Sequence, residues 1–191
     1  MNSKENCWNC KSIVKSKGFF CDHCGVIQKP FYLDEFEIFG LKKEFLIDLN
    51  VLEDKYLELQ SKLHPDKFVN SSQNEKDFSN EHSSRINESY KLLKNNVSRA
   101  NIILKSNGYD LEKESKTFGD EKMLEDIMDL QSKCMLAENE ISKKKIGNEI
   151  KEVIDETINE LNLLFKKKSW KEAYNLNVKL SYLEKMKNNI S

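Results

Sequence analysis

The chain has 191 residues but only two prolines, Pro30 and Pro65, and six glycines. Proline breaks helices and glycine weakens them, so the long stretch after Pro30 can run as helix with few obligatory interruptions. The apolar spacing agrees. Phe36, Phe39 and Leu41 open the pattern. Val51, Leu52, Tyr56, Leu59 and Leu63 follow at three- and four-residue steps, which is one face of a helix, with Asp48 and Asn50 as N-cap candidates. Residues 64–73, from His64-Pro65-Asp66 to Gln73, break the spacing, because Pro65 cannot sit comfortably inside a helix and pushes residue 64 out of the helical region. It resumes through Phe78, His82, Ile86, Tyr90 and Leu93. A shorter segment, Val97–Leu104, stops at Asn107-Gly108.

After a connection over Tyr109–Gly119, three more stripes appear. Met123, Ile127, Leu130 and Cys134 form the first, and Ile146, Ile150, Ile154, Ile158, Leu161 and Phe165 the second. Trp170, Ala173, Leu176, Leu180 and Leu183 form the third. Short polar breaks at Glu138-Asn139-Glu140 and Lys166–Ser169 predict an antiparallel bundle of three helices. The fold class expected is mainly α.

Composition narrows the function. At 38% hydrophobic and 33% charged, the chain has the apolar content of a packed protein, and its net charge of -1 lacks the basic field of a general nucleic-acid binder. No run reaches the ~18 apolar residues of a membrane span. The N-terminus has neither the apolar core of a secretory signal nor the Arg-rich, acid-poor character of a transit peptide, which predicts a reducing interior.

Four of the five cysteines lie in the first 25 positions. Cys7-Trp8-Asn9-Cys10 and Cys21-Asp22-His23-Cys24 are two CxxC knuckles separated by Lys11–Phe20. Each puts two thiolates on one tight turn, and a small hairpin bringing the turns together completes a tetrahedral shell. Gly18 and Gly25 suit such turns. The spacing favours one zinc ion over an iron–sulfur centre, held by Cys7, Cys10, Cys21 and Cys24 in a closed, structural site. His23 could replace a cysteine but reads as an exposed knuckle residue. Redox CxxC chemistry lacks its usual βαβ setting. A ribbon this small cannot bury its own core, so metal and fold are coupled.

His64-Pro65-Asp66 lies between two long helical patterns, Val51–Leu63 and Asn74–Lys94, preceded by a short helix with Phe36 and Phe39. This layout resembles a J domain, a helical hairpin that displays His-Pro-Asp and stimulates ATP hydrolysis by chaperones of the DnaK (heat-shock seventy) class. Phe36–Leu41, Leu63–Phe68, Ile86-Asn87 before Tyr90–Leu93, Arg99-Ala100 before Leu104, and Asn107–Leu111 resemble the HscB-type co-chaperones of iron–sulfur cluster assembly. An N-terminal double CxxC resembles the eukaryotic, metazoan-like branch of that family. The resemblance covers essentially the whole chain. It implies a zinc ribbon over 1–29, a J domain over 30–108 and a C-terminal three-helix, scaffold-binding domain over 109–191.

It also implies a bridging protein, not an enzyme, in the mitochondrion or, alternatively, the cytoplasm. Asp66 would present its carboxylate to the chaperone, Pro65 would fix the turn and His64 would orient it, with Lys62, Lys67 and Arg85 as flanking contacts. One departure is that Glu53, Asp54 and Glu58 accompany Lys55 and Lys62 on a helix that is usually basic in J domains, which predicts weaker steering or an adapted partner. On the bundle, Leu124 and Met128 form an i, i+4 pair rotated from the core seam, and Tyr182 continues the row of Tyr174 and Val178. Periodicity alone allows a wide buried stripe or an exposed patch. The resemblance makes Leu124, Met128 and Tyr182 contacts for the iron–sulfur scaffold protein, with Asp129 at the rim. Cys134 reads as buried packing. Nucleic acid and membrane are not expected partners.

Two rivals share these residues. One is a J-domain protein for another client, such as the zinc-bearing J proteins of diphthamide synthesis, although their metal motif follows the J domain. The other is a zinc-ribbon nucleic-acid adaptor using Lys4, Lys11, Lys15, Lys17 and Lys29 with Trp8, Phe19 and Phe20. The overall charge and helical tail argue against it.

Overall fold

The computed structural model describes residues 6–14, 18–109 and 121–190. Lys4, Lys15, Lys17 and the Asp110–Gly119 part of the expected connection lie outside the described residues. The described residues form seven α-helices: α1 Glu35–Ile38, α2 Leu49–Leu63, α3 Gln73–Lys94, α4 Asn96–Ser106, α5 Glu121–Met135, α6 Glu140–Lys167 and α7 Trp170–Ile190. They contain no strand, only isolated bridges at Asn6–Ile13 and Phe20–Ile27.

The chain divides into two compact units, Met1–Lys43 with Ile47–Lys94, and Glu44–Leu46 with Asn95–Ser191. In the first, the Asp34 side chain accepts the Phe36 and Glu37 N–H groups while Glu37 reaches back to the Asp34 N–H, a capping box that starts α1. Asp48, the first of the two candidates, caps α2, accepting from Asn50 and Val51. α2 ends at His64 because Pro65 has no N–H to continue the ladder. α2 and α3 pack as a hairpin over Leu52, Leu63, Ile86 and Leu93, all fully or nearly fully buried. Val51, expected on that face, is exposed, and its neighbour Leu52 takes the core position. A polar seam flanks the apolar one. Tyr56 Oη and Gln60 Nε2 donate to Asn87 Oδ1 at 3.0 and 2.7 Å, Tyr56 stacks on Tyr90, and Tyr90 donates to the Glu53 carboxylate.

In the second unit, the α6 stripe is buried at Ile150, Ile154, Leu161 and Phe165, and the α7 stripe at Ala173, Leu176, Leu180 and Leu183. Asn139 and Ser142 cap α6 reciprocally, and Lys168, in the left-handed region at φ 58°, turns the chain into α7. The sequence reading puts Val97–Leu104 with the hairpin, but the division falls between Lys94 and Asn95 and α4 packs on α7. Ala100, Ile103 and Leu104 supply the apolar contact, and Asn177 Nδ2 donates to Asn101 Oδ1 at 2.6 Å. Tyr174 and Val178 are buried, so the row they share with Tyr182 is partly covered. Buried Arg99 donates from Nε to the Phe45 carbonyl at 2.6 Å, and the Phe45 ring lies against Phe165. Burial lowers the Arg99 pKa to about 10.

Candidate functional site

The two knuckles fold alike. In each, the first cysteine's N–H donates to a carbonyl five residues on, Cys7 to Ser12 at 2.8 Å and Cys21 to Val26 at 2.9 Å. In each, the residue after the second cysteine donates back to the first cysteine's carbonyl and has positive φ. Gly25 takes that conformation as expected, whereas Lys11 takes it at φ 62° where glycine would be easier.

The turns bring Cys7, Cys10, Cys21 and Cys24 together, with all four Sγ atoms within 4.8 Å of one another. Cys7 Sγ lies 3.7 Å from Cys24 Sγ, and Cys10 Sγ 3.8 Å from Cys21 Sγ. Burial raises the Cys7 thiol, but the Cys10 and Asn9 N–H groups and the Gln28 side chain outweigh it and bring the pKa to about 6. At Cys24 the Val26 N–H pulls the other way, yet burial and the three neighbouring thiols push the pKa up to about 11. Four soft sulfur donors gathered in a closed set fit a metal ion. His23 is exposed and is not one of the clustered ligands.

The ribbon is docked on α3. Trp8 packs edge-on to Phe78 and donates from Nε1 to the Ile27 carbonyl at 2.8 Å. Phe19 packs edge-on to His82. These are the aromatic side chains that a nucleic-acid adaptor would need free for stacking.

At the hairpin tip, Pro65–Phe68 forms a short 3₁₀ turn with Pro65 at its first position. His64 Nδ1 accepts the Asp66 N–H at 3.3 Å and lies 3.4 Å from Asp66 Oδ2, and Lys67 N donates to the His64 carbonyl at 3.0 Å. Phe68 is buried below the turn, and Ser79 Oγ donates to the Leu63 carbonyl at 2.8 Å. The Asp66 side chain is 88% exposed and that of His64 50%. Lys67 is exposed beside them, and Lys62 pairs with Glu58 at 2.7 Å. Arg85, the third expected flanking residue, is engaged within the chain. Its guanidinium donates to the Phe31 and Leu33 carbonyls at 2.6 and 3.1 Å, so it anchors the segment before α1.

On the bundle, Leu124 is 40% exposed and Met128 59%, whereas Ile127 and Leu130 are buried. Asp129 pairs with Lys133, which also meets Glu149. Tyr182 is half-buried with Lys185 over its ring. Cys134 is half-buried rather than buried, and burial with the nearby Glu149 carboxylate raises its pKa. The sequence reading names neither Gln28 nor Ser79, gives Arg99 only as part of the family motif and not as a carbonyl-holding residue, and does not single out the exposed Met135, Leu136 and Ile141 around the α5–α6 turn. The first three are polar residues whose partners are remote or local carbonyls, and apolar periodicity carries no signal for them.

A His-Pro-Asp turn at the end of a helical hairpin, with a four-cysteine ribbon before it and a helical bundle after it, defines a J-domain co-chaperone. Residues 119–191 match the family model of the HSCB C-terminal oligomerisation domain. The chain belongs to the HscB family of iron–sulfur cluster co-chaperones: it is 33% identical over 184 residues to the iron–sulfur cluster co-chaperone protein HscB homolog of Arabidopsis thaliana, covering 96% of this chain and 72% of the relative. It is 31% identical over 188 residues to the HscB protein of Homo sapiens, covering 96% and 80%. The crystal structure of human HscB superposes with a TM-score of 0.89 at 31% identity, covering 97% of this chain and 96% of that one.

Proposed function

We propose that this chain recruits a DnaK-class chaperone through its hairpin tip, stimulates that chaperone's ATP hydrolysis, and holds an iron–sulfur scaffold protein on its bundle. The observation that carries the reading is the Asp66 carboxylate, exposed on a turn fixed from both sides. Pro65 sets the backbone, His64 takes up the Asp66 N–H, Phe68 anchors the turn from below and Ser79 holds the preceding carbonyl. An anion held this way meets a cationic partner without first losing conformational freedom. Lys62 and Lys67 would flank the contact, while Arg85 supports the segment before α1.

The client would meet Leu124 and Met128, with Asp129 and Tyr182 beside them. Two exposed apolar side chains one turn apart on α5 suit an apolar partner surface. Holding both partners on one chain raises the effective concentration of scaffold at the chaperone. Cys7, Cys10, Cys21 and Cys24 would hold one zinc ion, whose contribution is to fix the ribbon. The mitochondrion is the compartment we assign by the family resemblance. No helix among the described residues is long and apolar enough to cross a membrane.

The test is capture with the tagged full-length chain. Scaffold and chaperone should be retained together by wild type. Asp66→Asn should lose the chaperone alone, and Leu124→Ala with Met128→Ala should lose the scaffold alone. Loss of both partners from either variant would contradict separate binding sites.

A further inference from the structure

The four-cysteine ribbon and the His-Pro-Asp tip share a support in α3. Gln28, just past the second knuckle, is buried and uses both ends of its residue. Its Nε2 donates to Cys7 Sγ at 3.4 Å and to the Val26 carbonyl at 2.9 Å. Its carbonyl lies 3.0 Å from His82 Nε2 on α3, and only the Nε2–H tautomer makes that a hydrogen bond. His82 is 3% exposed, and burial lowers its pKa, which keeps the ring neutral. Trp8 between the first two cysteines packs on Phe78, and Phe19 before the third packs on His82. Phe78 and His82 flank Ser79, the residue whose hydroxyl holds the Leu63 carbonyl one position before His64.

We propose that metal occupancy of the ribbon braces the Phe78–His82 segment of α3, and through Ser79 the His-Pro-Asp tip, with Gln28, His82, Trp8 and Phe78 as the positioning residues. The proposal rests on the reading of the four cysteines as a metal site. Its physical basis is linkage. The knuckles hold their geometry only while the thiolates are gathered, and their aromatic and carbonyl contacts to α3 form only on folded knuckles. A group that binds the braced state alone stabilises everything packed on it, and the dependence is reciprocal. A ribbon joined by a flexible tether would leave α3 indifferent to the metal.

The experiment is hydrogen exchange on the full chain, zinc-loaded and after stripping with a chelator, with zinc content measured on both samples. Amides of Phe78–Ile86 should exchange faster in the stripped protein, within the ~5- to 150-fold span of typical site-to-site coupling, while α6 and α7 stay unchanged. Trp8→Ala combined with His82→Phe, which keeps a ring against Phe19 but removes the Gln28 hydrogen bond, should still bind zinc, release it faster to a chelating dye and show a smaller gap. Equal exchange in loaded and stripped wild type overturns the brace without recourse to any variant. So does an equal rise in α6 and α7, or an undiminished gap in the double variant. A chain that takes up no zinc overturns the metal assignment itself, and the brace with it.

Discussion

Truncation of Met128, alone and with Leu124, separates a binding face from a core. Fully burying a Leu or Met side chain contributes ~1.5–3 kcal/mol. Met128 is 59% exposed, which leaves roughly two-fifths of that burial to lose, so Met128→Ala should cost about 1 kcal/mol. Leu124 is 40% exposed, and Leu124→Ala should cost about 1.5 kcal/mol by the same reasoning. Neither truncation leaves an enclosed cavity. Leu161 and Leu180 are fully buried in the same unit and serve as controls, since Leu→Ala at such a position costs ~2–5 kcal/mol. Urea melts followed by helical circular dichroism give the four values on one scale. Calorimetric titration with the scaffold gives the other axis, on which an apolar anchor carries about 2 kcal/mol, close to a 30-fold loss of affinity. Met128→Ala costing as much stability as Leu161→Ala would make it a core residue and refute the reasoning. Full stability with unchanged scaffold affinity would place the client elsewhere.

Ser79→Ala leaves the buried Leu63 carbonyl without its donor, so we expect a loss of ~1–3 kcal/mol in urea melts together with weaker chaperone stimulation. His82 is neutral in the folded protein because burial outweighs the Gln28 carbonyl, with Arg85 opposing its protonation and Glu81 favouring it. The unfolded chain therefore takes the proton first, and His82's contribution, complete above its ordinary value of ~6.5, should fall as pH drops below it. His82→Gln, which does not titrate, should flatten that part of the stability–pH curve, and an unchanged slope would clear His82 of the role. Arg99→Met removes the donor to the Phe45 carbonyl, and melts should show the second unit losing ~1–3 kcal/mol.

What could be read beforehand follows from which interactions are local. The stripes of α3, α6 and α7 were legible because apolar residues at helical spacing report burial directly. The four-cysteine cluster was legible because two CxxC turns leave thiolates few arrangements. The hairpin tip was legible because Pro65 forbids continuation of α2. Partner choice was not. The apolar residues of α4 are visible at Ala100, Ile103 and Leu104, but their packing on α7 depends on residues some 80 positions away, such as Asn177 opposite Val97. The same holds for the ribbon, where the pairs Trp8–Phe78 and Phe19–His82 convert a segment that reads as a separate module into part of the hairpin unit. Arg85 shows the limit for charged residues. A guanidinium facing a partner and one holding two carbonyls have the same sequence signature.

The central claim is that the Asp66 carboxylate on its fixed turn activates a chaperone while the bundle supplies the client. Single-turnover ATP hydrolysis by a DnaK-class chaperone tests it most directly, measured with wild-type chain and with Asp66→Asn, each with and without the scaffold protein. The account predicts stimulation by wild type that rises further when scaffold is added. It predicts loss of that stimulation in Asp66→Asn, whose helical circular dichroism and scaffold affinity stay at the wild-type values. Stimulation by Asp66→Asn equal to that of wild type would contradict it.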